Sequence, residues 1–155
     1  MRPCPWRQTV PRLKPTRSQG SIKLVSANVT SYNTAVSSWL ATHTEQDAQV
    51  FAIQETHQNQ SQTRKTQRQM KAWGLEGNFV PAEATGRGGN TGGQFVAAAR
   101  SLGGSTLAAF SLEGNGWRGV VLEMTGSKMA VFSIYLKTGE GILGQPNVQI
   151  LGALR

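Results

Sequence analysis

Two short apolar runs that stop on polar side chains frame this chain: Ile22-Lys23-Leu24-Val25-Ser26-Ala27-Asn28 and Gln49-Val50-Phe51-Ala52-Ile53-Gln54-Glu55-Thr56-His57. The uninterrupted stretch Val50 to Ile53 predicts a strand covered on both faces. Between the runs, Val36, Trp39 and Leu40 recur at i, i+3 and i+4 within Thr34 to Ala41, which is one face of a helix. Strand, helix and strand make a βαβ unit, whose right-handed crossover predicts parallel strands with both polar ends at one edge of the sheet. Asn28 and Glu55 then stand side by side where open α/β sheets bind their ligands. Each also has a plainer explanation, a turn residue for Asn28 and a solvated strand-end charge for Glu55.

Residues Gln58 to Trp73 read as a polar helix anchored to the core by Met70 and Trp73. Arg64, Arg68 and Lys71 lie at i, i+4 and i+7 with Lys65 interleaved, a stripe able to follow phosphates; a solvated helix face is the commoner cause of such a stripe. Farther on the pattern shortens to strands and turns. Gly77 to Ala82, Gln94 to Arg100, Thr106 to Leu112, Arg118 to Met124 and Lys128 to Leu136 read as strands, the last two joined by a hairpin at Thr125-Gly126-Ser127. Thr85 to Gly93 is a glycine-rich loop without the Lys-Ser/Thr ending of a phosphate-cradling P-loop, and it precedes a strand rather than a helix. In Gln145 to Arg155, Val148, Leu151 and Leu154 recur at i, i+3 and i+6, a helical spacing. The expected fold class is α/β, with flanking helices on a mixed sheet that is parallel at its first two strands and largely antiparallel afterwards.

Composition bears on partners more than on fold. The chain has 155 residues, enough for one domain, and a formal charge of +8. Arg2, Arg7, Arg12, Lys14 and Arg17 fall within Met1 to Gly20 with no acid among them, so the remaining eleven bases and eight acids leave only +3. Four of the six prolines, Pro3, Pro5, Pro11 and Pro15, share that leader, which predicts a disordered basic segment at 1–20 and a folded body at 21–155. The leader has no apolar signal core, and no stretch is long enough to span a membrane. Its basic, acid-free composition suits organelle targeting, whereas its prolines oppose the amphipathic helix of a transit peptide. The single cysteine, Cys4, excludes an internal disulfide and a zinc cluster, so an intracellular setting, nucleus or cytoplasm, is the default.

A strand ending in Asn28, a helix, a strand running into Gln54-Glu55-Thr56, a glycine pair opening Gly92-Gly93-Gln94-Phe95-Val96 and a hairpin ending in Ser133-Ile134-Tyr135 occur in that order. This order resembles the endonuclease/exonuclease/phosphatase family, and within it the apurinic/apyrimidinic endonucleases and the endonuclease domains of non-LTR retrotransposons. The likeness covers about Ile22 to Arg155, all of it in the family's N-terminal half. The resemblance implies half of a two-sheet α/β sandwich. It gives Asn28 the family's role of orienting metal and phosphate, although the aromatic that commonly precedes that asparagine is Ala27 here. It makes Glu55 a ligand of Mg²⁺, a hard cation suited to carboxylate, water and phosphate oxygens. Tyr135 takes the place of a tyrosine that contacts the scissile phosphate; its plainer explanation is a half-buried strand-end tyrosine.

Family members activate water with an aspartate, orient it with Gly-Asp-x-Asn, and meet the phosphate with a late Ser-Asp-His. Here the only aspartate is Asp47, and both histidines, His43 and His57, also precede the region where those motifs belong. The expectation is a nucleic-acid-directed, Mg²⁺-dependent endonuclease-like domain, DNA ahead of RNA. It would be truncated and inactive alone, holding metal weakly and self-associating through an uncovered sheet face on strands such as Gln94 to Ala99 and Val131 to Leu136. The alternatives are a nucleic-acid-binding or interaction protein with a vestigial site, and a small-molecule phosphoesterase-type domain.

Overall fold

A computed structural model describes residues 21–103, 105–106, 110–112, 115–124 and 127–154; the basic leader lies outside the described residues. In chain order the elements are β1 (Leu24–Asn28), α1 (Thr34–Glu45), β2 (Val50–Gln54), α2 (Gln60–Ala72), β3 (Leu75–Val80), β4 (Glu83–Ala84), β5 (Asn90–Thr91), β6 (Gln94–Ala99), β7 (Ser105–Thr106), β8 (Phe110–Leu112), β9 (Asn115–Met124), β10 (Ser127–Tyr135) and α3 (Gln145–Gly152). A turn of 3₁₀ helix, Arg100–Leu102, follows β6. The fold is mixed α/β. One sheet has the order β1-β2-β6-β3, parallel at β1 and β2 and antiparallel at its other pairs; a second has the order β10-β9-β7 with β8 also on β9, and β4 and β5 form a small hairpin.

Strand alternation explains how one sheet serves two cores. Phe51 and Ile53 of β2 and Phe95, Ala97 and Ala99 of β6 face the helices, where they meet Leu40, Met70, Trp73 and Leu75. Val50, Ala52, Val96 and Ala98 point the other way and meet Val120 and Leu122 of the second sheet. Both strands are therefore buried on both faces, as the run Val50 to Ile53 predicts. Full burial of a side chain such as Phe51 or Leu40 stabilises the fold by roughly 1.5–3 kcal/mol.

Local chemistry sets the helix ends. Asn33 caps α1 by accepting from Val36 N at 3.1 Å. Asn59 and Gln62 form a reciprocal capping box on α2, with each side chain bonding the other residue's backbone N–H. The helix α1 runs four residues beyond its expected end, to Glu45. Trp39, expected on the core stripe, is 39% exposed and meets the His43 ring edge-on at 4.7 Å, so Leu40 and the partly buried Val36 make the core contact. In α3 the buried residues are Asn147 and Ile150 rather than the expected Val148 stripe; the Asn147 carboxamide bonds Lys137 N, Lys137 O and Gly141 O and ties the helix to the chain leaving β10.

The sheet face expected to be uncovered on Gln94 to Ala99 is covered. The β6 strand, Gln94–Ala99, is buried at every position because β9 and β10 supply a second layer from the chain's own C-terminal part. That layer lies over β2, β6 and β3. Leu24, on β1 beyond it, stays 47% exposed, and Phe132, on the far face of β10, 39% exposed. Part of the expected strand Thr106 to Leu112 falls outside the described residues; its described parts are β7 and β8.

Gly77 on β3 is a position where no larger residue fits, because a Cβ there would overlap the Val96 carbonyl and come within 2.5 Å of Ala97 Cα, both backbone atoms of β6. Gly77→Ala is expected to cost about 3 kcal/mol or more in urea unfolding, since a strand must shift to admit it. Glu76→Ala next door, which removes one exposed pairing with Arg100, should change stability by less than about 1 kcal/mol. Equal effects of the two substitutions would refute the close approach of β3 and β6.

Candidate functional site

The polar ends of β1 and β2 lie side by side, with Asn28 paired to Gln54 in the parallel register and Glu55 one residue beyond. If the pleat continued, Glu55 would follow Phe51 and Ile53 toward the helices. Instead Glu55 adopts a left-handed backbone, φ 54°, which breaks the alternation, and its carboxylate meets the second sheet. There the Tyr135 hydroxyl donates to Glu55 Oε1 at 2.9 Å, a contact between residues 80 apart in sequence. Glu55 Oε2 has no hydrogen-bond partner among the described residues.

Backbone strain gathers at this place. Among the described residues four non-glycine positions have positive φ, and three of them flank the site: Thr30, Glu55 and His57. A non-glycine residue held there costs roughly 1 kcal/mol or more. What holds the pair at residues 55 and 57 is a continuation of the sheet: Thr56 N and His57 N donate to Gly93 O and Gly92 O, both at 3.0 Å, and Tyr32 N donates to Thr56 O at 2.8 Å. Glycine is required sterically at residue 93, because a Cβ on Gly93 would lie 2.6 Å from Thr56 Oγ1. Asn90, at the turn end of the small hairpin, adds a bond to His57 O, so the glycine-rich stretch braces the site with a hairpin.

The Tyr135 phenol is raised to about 12, first by burial, then by its hydrogen bond to the Glu55 carboxylate and by that group's negative charge. At neutral pH it is a protonated donor beside a carboxylate. Asn28 is exposed, and its Oδ1 accepts from Thr30 N at 3.2 Å; this bond shapes the strained turn. Glu55 and Tyr135 thus touch, while Asn28 stands on the neighbouring strand end.

The basic residues of α2 divide between two faces. Arg64, Arg68 and Lys71 share an exposed stripe, as their spacing predicts. Lys65 belongs to another face, where it joins Tyr32, Ser37, Gln58, Thr66 and Gln69 in lining a groove of about 560 Å³ between α1 and α2. Its polar groups are largely paired with one another, Gln69 with Ser37 at 2.7 Å and Gln58 with Thr66 at 2.8 Å. No carboxylate lines the groove, which opens beside the Tyr32–Thr56 link to the Glu55 loop.

Asp47, the only aspartate, precedes β2 at the opposite end of that strand. The five residues of β2, which lie between it and Glu55, span about 16 Å at roughly 3.3 Å each, too far for the two carboxylates to share one phosphate. No group of three or more His, Cys, Asp or Glu able to hold a metal occurs among the described residues, and none of their helices is long and apolar enough to cross a membrane. Sequence inspection overlooked Gln54, Gln94 and Ser133 as site residues; for the two glutamines the available signal was a polar side chain at the edge of a buried apolar run, whereas Ser133 is the one buried residue of a strand that is otherwise exposed or half-buried. No protein-family model matches the chain, and no curated protein matches it.

The raised Tyr135 phenol carries a pH dependence. Its contribution to stability is complete below about 10, the ordinary tyrosine value, and is lost as pH rises through about 12. Tyr32, also raised by burial, adds to the same alkaline loss. Denaturant unfolding across this range should show stability falling, with a shallower fall for Tyr135→Phe, which keeps the ring and removes the proton. An identical alkaline limb in the two proteins would mean that the Tyr135–Glu55 contact is not formed.

Proposed function

We propose that this chain is an endonuclease/exonuclease/phosphatase-like domain that engages a phosphodiester of nucleic acid at the Glu55–Tyr135 edge, with DNA ahead of RNA and with weak Mg²⁺ assistance. The observation carrying this proposal is the contact itself: a carboxylate at one strand end and a protonated phenol from another sheet converge on one side of a strained turn. A carboxylate oxygen suits a hard divalent ion, and a phenolic donor suits a phosphate oxygen.

The donor set fits such an ion, but only loosely. Glu55 would hold Mg²⁺ through one carboxylate, with water and substrate oxygens completing the shell. The ion, when bound, supplies charge stabilisation to the phosphoryl oxygens. Tyr135 orients the Glu55 carboxylate in the free protein and is free to turn its proton toward a phosphate oxygen. Asn28, on the adjoining strand end, would orient metal and phosphate. Among the described residues no second carboxylate joins Glu55 to take a proton from water, and Asp47 is a strand length away, so the expected activity is binding with little or no turnover. Lys65 in the groove and the stripe Arg64, Arg68 and Lys71 supply positive charge for flanking phosphates. A nucleic-acid-binding protein with a vestigial site is the second reading, favoured by the single carboxylate found at this edge among the described residues. The exposed Leu24 and Phe132 extend the proposal to self-association.

Two measurements test these statements. Titrated onto an abasic-site duplex with and without Mg²⁺, the protein should bind more tightly with the ion. Glu55→Ala should abolish that increment while leaving the Mg²⁺-free affinity within about twofold, with no cleavage above the Glu55→Ala control. Robust Glu55-dependent cleavage by a monomer would refute the absence of a base, and a Mg²⁺ effect indifferent to Glu55 would exclude the metal site. Salt dependence separates the two basic faces. Lys65→Ala should reduce the log–log salt slope by about one if that residue meets a phosphate, and Arg64→Ala with Arg68→Ala by about two. Slopes that stay the same would remove α2 from the interface.

A further inference from the structure

The interface between the two sheets is apolar over most of its area and polar at one end. Val50, Ala52, Val96 and Ala98 meet Val120 and Leu122 through contacts that resist separation but have no preferred direction. At the end beside Glu55, two glutamines that face each other in register, Gln54 on β2 and Gln94 on β6, replace the aliphatic side chains. Gln54 Nε2 donates to Ile134 O at 2.7 Å and approaches Ser133 Oγ at 3.4 Å. The Ser133 hydroxyl, 1% exposed, donates to Gln94 Oε1 at 3.2 Å, and Gln94 Nε2 donates to Gly116 O at 3.2 Å. The two carbonyls are not arbitrary: Ile134 immediately precedes Tyr135 on β10, and Gly116 lies directly opposite Tyr135 on β9.

We infer that Gln54, Gln94 and Ser133 are positioning residues, which hold β9 and β10 at the height where the Tyr135 phenol meets the Glu55 carboxylate. The inference rests on the Glu55–Tyr135 site proposed above and adds the residues that assemble it. Each amide grips one strand of the second sheet, and Ser133 joins the two amides, so sliding or lifting of that sheet breaks directional bonds in a low-dielectric interior. Aliphatic packing alone tolerates a displacement of an ångström or so, which is enough to separate a 2.9 Å contact. Gln54 also directly precedes the left-handed Glu55, so one residue clamps the second sheet and starts the turn that aims the carboxylate.

The test uses the full chain carrying Tyr32→Phe, which leaves Tyr135 as the only tyrosine. Its ionisation is followed by tyrosinate absorbance as pH rises, with folding checked at each pH by circular dichroism. In that background Tyr135 should titrate near 12. Glu55→Gln removes the charge but leaves the phenol buried, and should lower the midpoint part of the way to the ordinary value near 10. Gln54→Met with Gln94→Met, which conserves volume, should lower it farther, because a displaced phenol loses both its burial and its carboxylate. An unchanged midpoint in the double variant, with or without a loss of stability, would overturn the inference while leaving the site intact, provided that Glu55→Gln shifts it. No shift in Glu55→Gln would overturn both. If the double variant does not fold, Ser133→Ala, which deletes only the bridging hydroxyl, decides: a lowered midpoint supports positioning and an unchanged one refutes it.

Discussion

The packing of β9 and β10 onto the doubly buried pair β2–β6 is the contact on which the site depends. The two central strands carry small residues, Ala52 and Ala98, beside Val50 and Val96 on the face toward the second sheet, and this permits close approach to Val120 and Leu122. Larger residues, Phe51, Ile53 and Phe95, fill the thicker layer between the sheet and the helices. Without the second sheet, Val96 and Ala98 would face water, and Tyr135 would have no route to Glu55, which precedes it by 80 residues.

Strain and its restraint form the next level. Left-handed backbone at Glu55 and His57 is unfavourable in isolation, and the bonds to the carbonyls of Gly92 and Gly93 oppose its relaxation. Gly93 matters because it lies so close to Thr56 that a methyl group would displace the loop. The strain gives a carboxylate that leaves the pleat and reaches the second sheet. Among the described residues it is the one carboxylate that meets the Tyr135 phenol.

Charge is arranged with less economy. On α2, the rotation of about 100° between consecutive helical residues turns Lys65 away from Arg64, so a single helix presents a groove-lining ammonium and an exposed row of Arg64, Arg68 and Lys71. The groove borders the loop that carries Glu55, whereas the row faces solvent. Lys65 and Arg68, at i and i+3, are where the groove and the row adjoin on the helix surface.

How much of this was legible in the sequence depends on the range of the physics involved. The sequence by itself determined the α/β class, the doubly covered β2, the parallel β1–β2 pair and the nearness of Asn28 to Gln54 and Glu55, because residue periodicity and crossover handedness act within a few tens of residues. The tertiary structure alone decided that β6 is covered by the chain's own second sheet and that Trp39 lies outside the core. It also decided that Tyr135 donates to Glu55 and that Gln54, Gln94 and Ser133 bridge the sheets. Glutamine and serine have no periodic signature, and a left-handed glutamate looks like any other glutamate in a sequence. Their partners are selected by which strands stack and in which register, a choice made by the sum of many non-directional apolar contacts across the whole domain.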